Sequence, residues 1–129
     1  MPHVSKYKLS RAQVAQLSQR VVDAAFLVRN RHDLQLFFGD LLSITEKIML
    51  GKRLLIALML ERGYSYLEIR RRLGVSDPTI ASVSERLRID GRGFRSALKQ
   101  IERRESIKII LEKFGRAIES FSQRPHIRL

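Results

Sequence analysis

Between Gly63 and Gly93 the chain reads GYSYLEIRRRLGVSDPTIASVSERLRIDGRG, two apolar patterns joined by a glycine corner. Ile69 and Leu73 mark the first pattern and Ile80, Val83 and Leu87 the second, spaced three and four apart as one buried helical face requires. Each has its own start signal. Ser65 with Glu68 predicts a capping box, in which the serine oxygen takes a free backbone N–H and the glutamate reaches back to the serine's own N–H. Gly74 suits the left-handed conformation that ends a helix, Val75 plugs the corner, and Ser76 caps the next helix with Pro78 in its first turn, where an amide is dispensable. Ile69, Leu73, Val75, Ile80 and Val83 should therefore share a small core, and the pattern predicts a helix-turn-helix over about residues 65–89. Outside that core remain Thr79, Ala81, Ser82, Glu85 and Arg86 on the second helix, and Arg70, Arg71 and Arg72 on the first.

The flanking sequence is helical in pattern and carries no strand-like alternation. A stripe of Val14, Leu17, Val21, Ala24, Ala25 and Val28, capped by Ser10, predicts a first helix to about Asn30. Asp33 is the expected cap of a short second helix that Gly39 ends, and Ser43 with Glu46 opens a third from Ile44 to about Arg62, with Ile48, Leu55, Ile56, Met59 and Leu60 available to the core. Asp90-Gly91-Arg92-Gly93 reads as a turn, after which Phe94 to about Phe121 is one long helix or two, because Glu102-Arg103-Arg104-Glu105 has no apolar residue. The expectation is an all-α fold of about six helices: a single domain over residues 10–121, a basic arm before it (residues 1–9) and a frayed tail after it (122–129). Leu34, Leu36, Phe37, Phe38, Leu41 and Leu42 surround their helix on several sides, more apolar surface than a small monomer can bury, so a second subunit is expected to cover it.

Composition narrows the partners. With 25 Lys and Arg against 13 Asp and Glu, the net charge of +12 favours a polyanion. The excess is spread along the chain as +3 over residues 1–42, +5 over 43–95 and +4 over 96–129, so it is not the property of one tail. Cysteine is absent, which fits a reducing compartment, and the longest apolar run, Leu54 to Leu60, falls far short of the roughly 20 residues that span a bilayer. A cytoplasmic protein without membrane association is expected. Catalysis finds little support: His3, His32 and His126 have no metal-ligand spacing, Glu102 and Glu105 are explained as partners of neighbouring arginines, and Gly91 and Gly93 follow a helix rather than a strand. Neither an enzyme nor a cofactor is expected.

Phe37-Phe38-Gly39-Asp40-Leu41-Leu42-Ser43, Glu46, Leu50-Gly51-Lys52-Arg53 and the motif from Gly63 to Leu87 together resemble the Trp repressor superfamily, in particular its branch of Trp-repressor-like regulators of unknown ligand. The resemblance covers about Leu34 to Gly93 and implies an all-helical fold whose N-terminal helices interlock with those of a second copy. In tryptophan-binding members it implies a ligand clamp of two arginines, a glycine and a serine. Here the first arginine is Arg53, while Ser82, Val83 and Arg86 stand at the other three positions, so a regulator without that corepressor is expected. On double-stranded DNA, Asp77, Pro78, Thr79, Ala81 and Ser82 are the candidates for base contact, and Lys52, Arg53, Arg70, Arg71, Arg72, Arg86 and Arg88 those for phosphate. Two other readings stand beside this one: a basic architectural or RNA-associated protein, and a protein-interaction module.

Overall fold

The computed structural model describes residues 8–122, which form seven helices and no strand. They are α1 (Arg11–Leu27), α2 (Arg31–Leu41), α3 (Ile44–Glu61), α4 (Tyr66–Leu73), α5 (Asp77–Asp90), α6 (Arg92–Arg104) and α7 (Ile107–Ser122). The expected arm, apart from Lys8 and Leu9, and the expected tail, apart from Ser122, lie outside the described residues. The chain divides into two compact units, Met1–Glu46 and Lys47–Leu129.

The first unit holds α1, α2 and the start of α3. Ser10 and Gln13 cap α1 reciprocally, at 3.1 and 2.9 Å. This helix stops at Leu27, short of the expected Asn30, because Val28 turns extended and Asn30 caps α2 instead, its Oδ1 accepting from the Asp33 amide at 2.9 Å. Asp33 is thus not the cap but a first-turn carboxylate, where negative charge suits the positive end of the helix macrodipole. Nor does Gly39 end α2, which continues to Leu41. Ser43 and Glu46 form the expected capping box at 3.2 and 2.8 Å, and these bonds hold the Glu46 carboxyl below the ordinary glutamate value. Neither α1 nor α2 contains a buried residue: Phe26 is 86 % exposed, Leu27 74 % and Leu17 59 %. Phe37 and Phe38 do pack on each other, ring centroids 5.4 Å apart.

The second unit is built around Ile56, Ala57, Leu58 and Met59 of α3, which meet Ile69 and Leu73, Ile80, Val83 and Leu87, Leu98, and Leu111 in one cluster. Burial of each large aliphatic side chain contributes about 1.5–3 kcal/mol, so this cluster supplies the unit's main cohesion. Four of the five side chains expected in the corner core are fully enclosed, and Val75 packs against them half-buried. Ile48, expected in the core, is 51 % exposed; inward packing on α3 begins at Leu54. Gly63, at φ +83°, ends α3, and the Tyr64 amide closes the corner on Met59 O at 3.0 Å.

The expected turn at Asp90–Gly93 shrinks to Gly91 alone, which separates α5 from α6. The apolar gap in the C-terminal pattern does mark a break: α6 ends at Arg104, Glu105 turns extended, and α7 begins at Ile107. Ile107, Ile110 and Phe114 pack α7 onto the core beside Leu111. Glu102 and Glu105 are not partners of neighbouring arginines. Glu102 instead pairs with Arg62 at the end of α3, and Glu105 with Lys113 one helix on.

Candidate nucleic-acid interface

The corner between α4 and α5 follows from three residues. Ser65 accepts from the Glu68 amide at 3.2 Å and starts α4, although the return bond runs to the Ser65 hydroxyl at 3.3 Å rather than to its amide. Gly74 ends that helix at φ +62° and ψ +46°, with its amide on Arg70 O at 2.8 Å. A side chain there would be strained by the backbone itself, since the left-handed region crowds Cβ against the carbonyl. Ser76 caps α5 from an extended conformation, accepting from the Thr79 amide at 3.4 Å, and Pro78 occupies the first turn.

With Ile80, Val83 and Leu87 turned into the core, the other faces of α5 are left to solvent. Asp77, Pro78, Thr79, Ala81 and Ser82 are all exposed at its N-terminal end. The Thr79 hydroxyl lies 2.9 Å from that of Ser76, so one of its hydrogen-bonding valences is used locally while another is open. This end presents short side chains, a surface able to approach base edges closely.

The cations fall into three groups. Lys52 reaches from α3 to the corner, its Nζ 3.4 Å from Gly74 O, where a positive charge faces the carbonyl end of α4. Arg70 spans the corner from the other side, its Nε 3.1 Å from Asp77 Oδ1, joining the last turn of α4 to the first residue of α5. Asp77, placed among the base-contact candidates, is therefore tied to one of the phosphate candidates. Arg53, Arg71 and Arg72 are exposed and form no ion pair among the described residues. Farther along α5, Arg88 pairs with Glu85, whose carboxyl it holds below the ordinary glutamate value. Arg86 borders a cavity of about 440 Å³ with Leu54, Asp90 and Phe94, away from the N-terminal end of the helix.

A second cationic feature escaped the reading of the sequence. Arg62 at the end of α3 and Arg95, Lys99 and Arg103 on α6 line a groove with Glu61 and Glu102. Arg95 donates to Glu61 at 3.1 Å and, through Nη2, to Leu87 O at 3.0 Å, so one guanidinium links α3 to the last turns of α5. Its signal was the four-residue spacing of the three α6 cations, which an apolar periodicity search does not register.

The sequence matches the Trp repressor protein family over residues 11–102. No curated protein matches it significantly. Among solved structures it is similar to that of a candidate Trp repressor from Staphylococcus aureus, with 28 % identity and a TM-score of 0.62 over 74 % of this chain and 96 % of that one. The match takes in the capped corner, the third helix with Arg53 and both N-terminal helices, and leaves α7 outside. The all-α architecture and this match over most of its length make the chain a member of the Trp repressor family, a family of DNA-binding regulators.

Proposed function

We propose that the protein is a homodimeric, sequence-specific transcriptional regulator that reads double-stranded DNA with α5 and does not respond to tryptophan. The observation that carries this reading is the corner itself: α5 is anchored by three core side chains while its N-terminal residues 77–79, 81 and 82 stand exposed beside Arg70, Arg71 and Arg72. In a helix-turn-helix the first helix crosses the backbone, which brings the three arginines to phosphates, and the second enters the major groove by its N-terminal residues. Thr79, Ala81 and Ser82 then contact base edges through methyl groups, hydroxyls or bridging water, while Lys52, Arg53, Arg86 and Arg88 add phosphate contacts. Asp77 and Pro78 shape the entering end, with Asp77 holding Arg70.

Insensitivity to tryptophan is supported by the clamp positions. Ser82 offers no charge, Val83 is 5 % exposed with its side chain in the core where the resemblance calls for open backbone, and only Arg53 keeps the expected type. A second copy is supported by the apolar surface of α1 and α2, and two copies place their α5 helices in successive major grooves about 34 Å apart, so the operator should be two-fold symmetric.

Selection of bound duplexes from a random pool at about 0.15 M salt tests the proposal, because screening then suppresses loose electrostatic attachment. A symmetric enriched motif, bound equally with and without tryptophan, is the expected result. Absence of enrichment, with affinity that collapses as salt rises, would transfer the protein to charge-driven architectural binding; absence of binding at low salt would leave an interaction module.

A further inference from the structure

The open groove between the end of α3 and α6 has a volume of about 490 Å³, within the range of small-molecule sites. Arg95, Lys99 and Arg103 are four residues apart, so they form one stripe of like charge along α6, and Arg62 joins them from α3. Two carboxylates share the groove and both are committed, Glu102 to Arg62 and Glu61 to Arg95. Lys99 and Arg103 have no carboxylate partner among the described residues, so the groove carries an uncompensated charge of two above a floor formed by Leu98, which is 2 % exposed.

We propose that this groove binds a small, multiply charged anion bearing phosphate groups. Like charges at helical neighbour spacing repel, and a bound polyanion relieves the repulsion that Glu61 and Glu102, committed to Arg95 and Arg62, leave at Lys99 and Arg103. Arg103 presents a planar fork that suits two phosphate oxygens, and Lys99 a point charge for a third. The site is separate from the DNA-reading end. Arg95 meets α5 at Leu87 O, ten residues beyond Asp77 and therefore about 15 Å along the helix axis. It is nevertheless connected to it, since an anion that draws on Arg95 competes with Glu61 and with the carbonyl of the recognition helix. That regulatory consequence rests on the proposed reading of DNA by α5; the binding site does not.

The test is titration of the full chain with inorganic tripolyphosphate at about 0.15 M salt, followed by calorimetry and by backbone amide resonances. Saturable binding is expected, with the largest shifts at residues 61–62 and 95–103. The double variant Lys99→Ala/Arg103→Ala should weaken it tenfold or more, while Arg11→Ala/Arg20→Ala, which removes the same charge from α1, should change it less than twofold. Equal weakening by both pairs, shifts centred on Arg70–Arg72, or no saturation at millimolar anion would overturn the proposal. A duplex arm separates the source of the phosphate: Lys99→Ala/Arg103→Ala should leave duplex affinity within twofold, whereas a loss as large as that of Arg71→Ala/Arg72→Ala would make the groove a DNA contact instead. Because the anion titration contains no DNA, its failure and a failure of duplex binding are distinguishable.

Discussion

Gly91 is the single residue between α5 and α6, and replacing it by alanine probes how the two are joined. Its φ of −97° is open to any residue, so the backbone does not oppose the change. Space does. An added Cβ would lie 2.9 Å from Arg95 Nη1, 3.1 Å from Arg95 Cζ and 3.0 Å from Leu87 Cδ2. Arg95 has to swing away, losing its bond to Leu87 O, about 1 kcal/mol for a partly exposed cation, and its ion pair with Glu61, 50 % and 30 % exposed and worth at most about 1 kcal/mol. Lower backbone entropy of the unfolded chain returns about 0.4–1 kcal/mol, and alanine is a poorer N-cap than glycine for α6 by a few tenths. The net expectation is a loss of about 1 kcal/mol. In an Arg95→Ala background the guanidinium is gone and only the contact with Leu87 Cδ2 is left, so the same Gly91→Ala change should cost distinctly less than in the native chain. Urea unfolding of the four proteins at one fixed chain concentration measures the cycle. A coupling near 1 kcal/mol is expected; additivity within about 0.3 kcal/mol would refute the role assigned to Arg95.

At Gly74 the obstacle is the backbone: only Lys52 Nζ comes within 4.0 Å of an added Cβ, yet φ is +62°, so Gly74→Ala should cost about 1–2 kcal/mol in thermal unfolding and Gly74→Asn distinctly less. Glu46 has its carboxyl lowered by bonds from Ser43, so the stability it contributes is present above the ordinary glutamate range and lost as pH falls through the lowered value. Ser43→Ala should move the Glu46 titration, followed by carboxyl NMR, back toward the ordinary value; an unmoved titration would remove the capping box as its cause. Asp77→Asn frees Arg70 from an exposed bridge worth at most about 1 kcal/mol, so it should tighten all duplexes by up to about fivefold and steepen the salt dependence, by fluorescence anisotropy across a salt series. A change confined to one base position would instead make Asp77 a base reader. Phe26 is 86 % exposed in one chain, so Phe26→Asp should be neutral for a monomer; sedimentation equilibrium is expected to show a dimer weakened tenfold or more.

What the sequence made legible was local. The corner at Gly74, the caps Ser43, Ser65 and Ser76, and the core set Ile69, Leu73, Ile80 and Val83 each depend on neighbours within a few residues, and each stands as read except that Glu68 bonds the Ser65 hydroxyl and not its amide. The misplaced boundaries had local competitors of equal merit. Asn30 and Asp33 are both capping types three residues apart, and one amide bond at 2.9 Å decides between them. Gly39 could end a helix, but a glycine inside α2 costs only about 1 kcal/mol, less than giving up the turn through Leu41. Arg62 with Glu102 and Arg95 with Glu61 are 40 and 34 residues apart, and no spacing rule reaches across such gaps. The Arg70–Asp77 bridge joins two helices, so no spacing within one helix points to it, and only the turn at Gly74 brings its members to 3.1 Å.

The two units also differ in what holds them, and this bears on how the protein works. The second encloses eleven core side chains among the described residues, with its corners turned by Gly63 and Gly74 and α3 tied to α5 through Arg95, so under the proposed function the DNA-reading surface is held in place by contacts within one chain. Helices α1 and α2, of 17 and 11 residues, enclose none, and isolated helices of that length are marginal in water unless an apolar face is covered. Their caps fix where they start but contribute only about 1 kcal/mol each. Val14, Leu17, Val21, Val22, Phe26 and Leu27 around α1 and Leu36 on α2 supply exposed apolar surface that a second copy can cover, and covering it links order in the N-terminal helices to chain association. Under the proposed function that link serves DNA binding: a lone chain offers one recognition helix, and association that orders α1 and α2 also supplies the second helix that a symmetric operator demands.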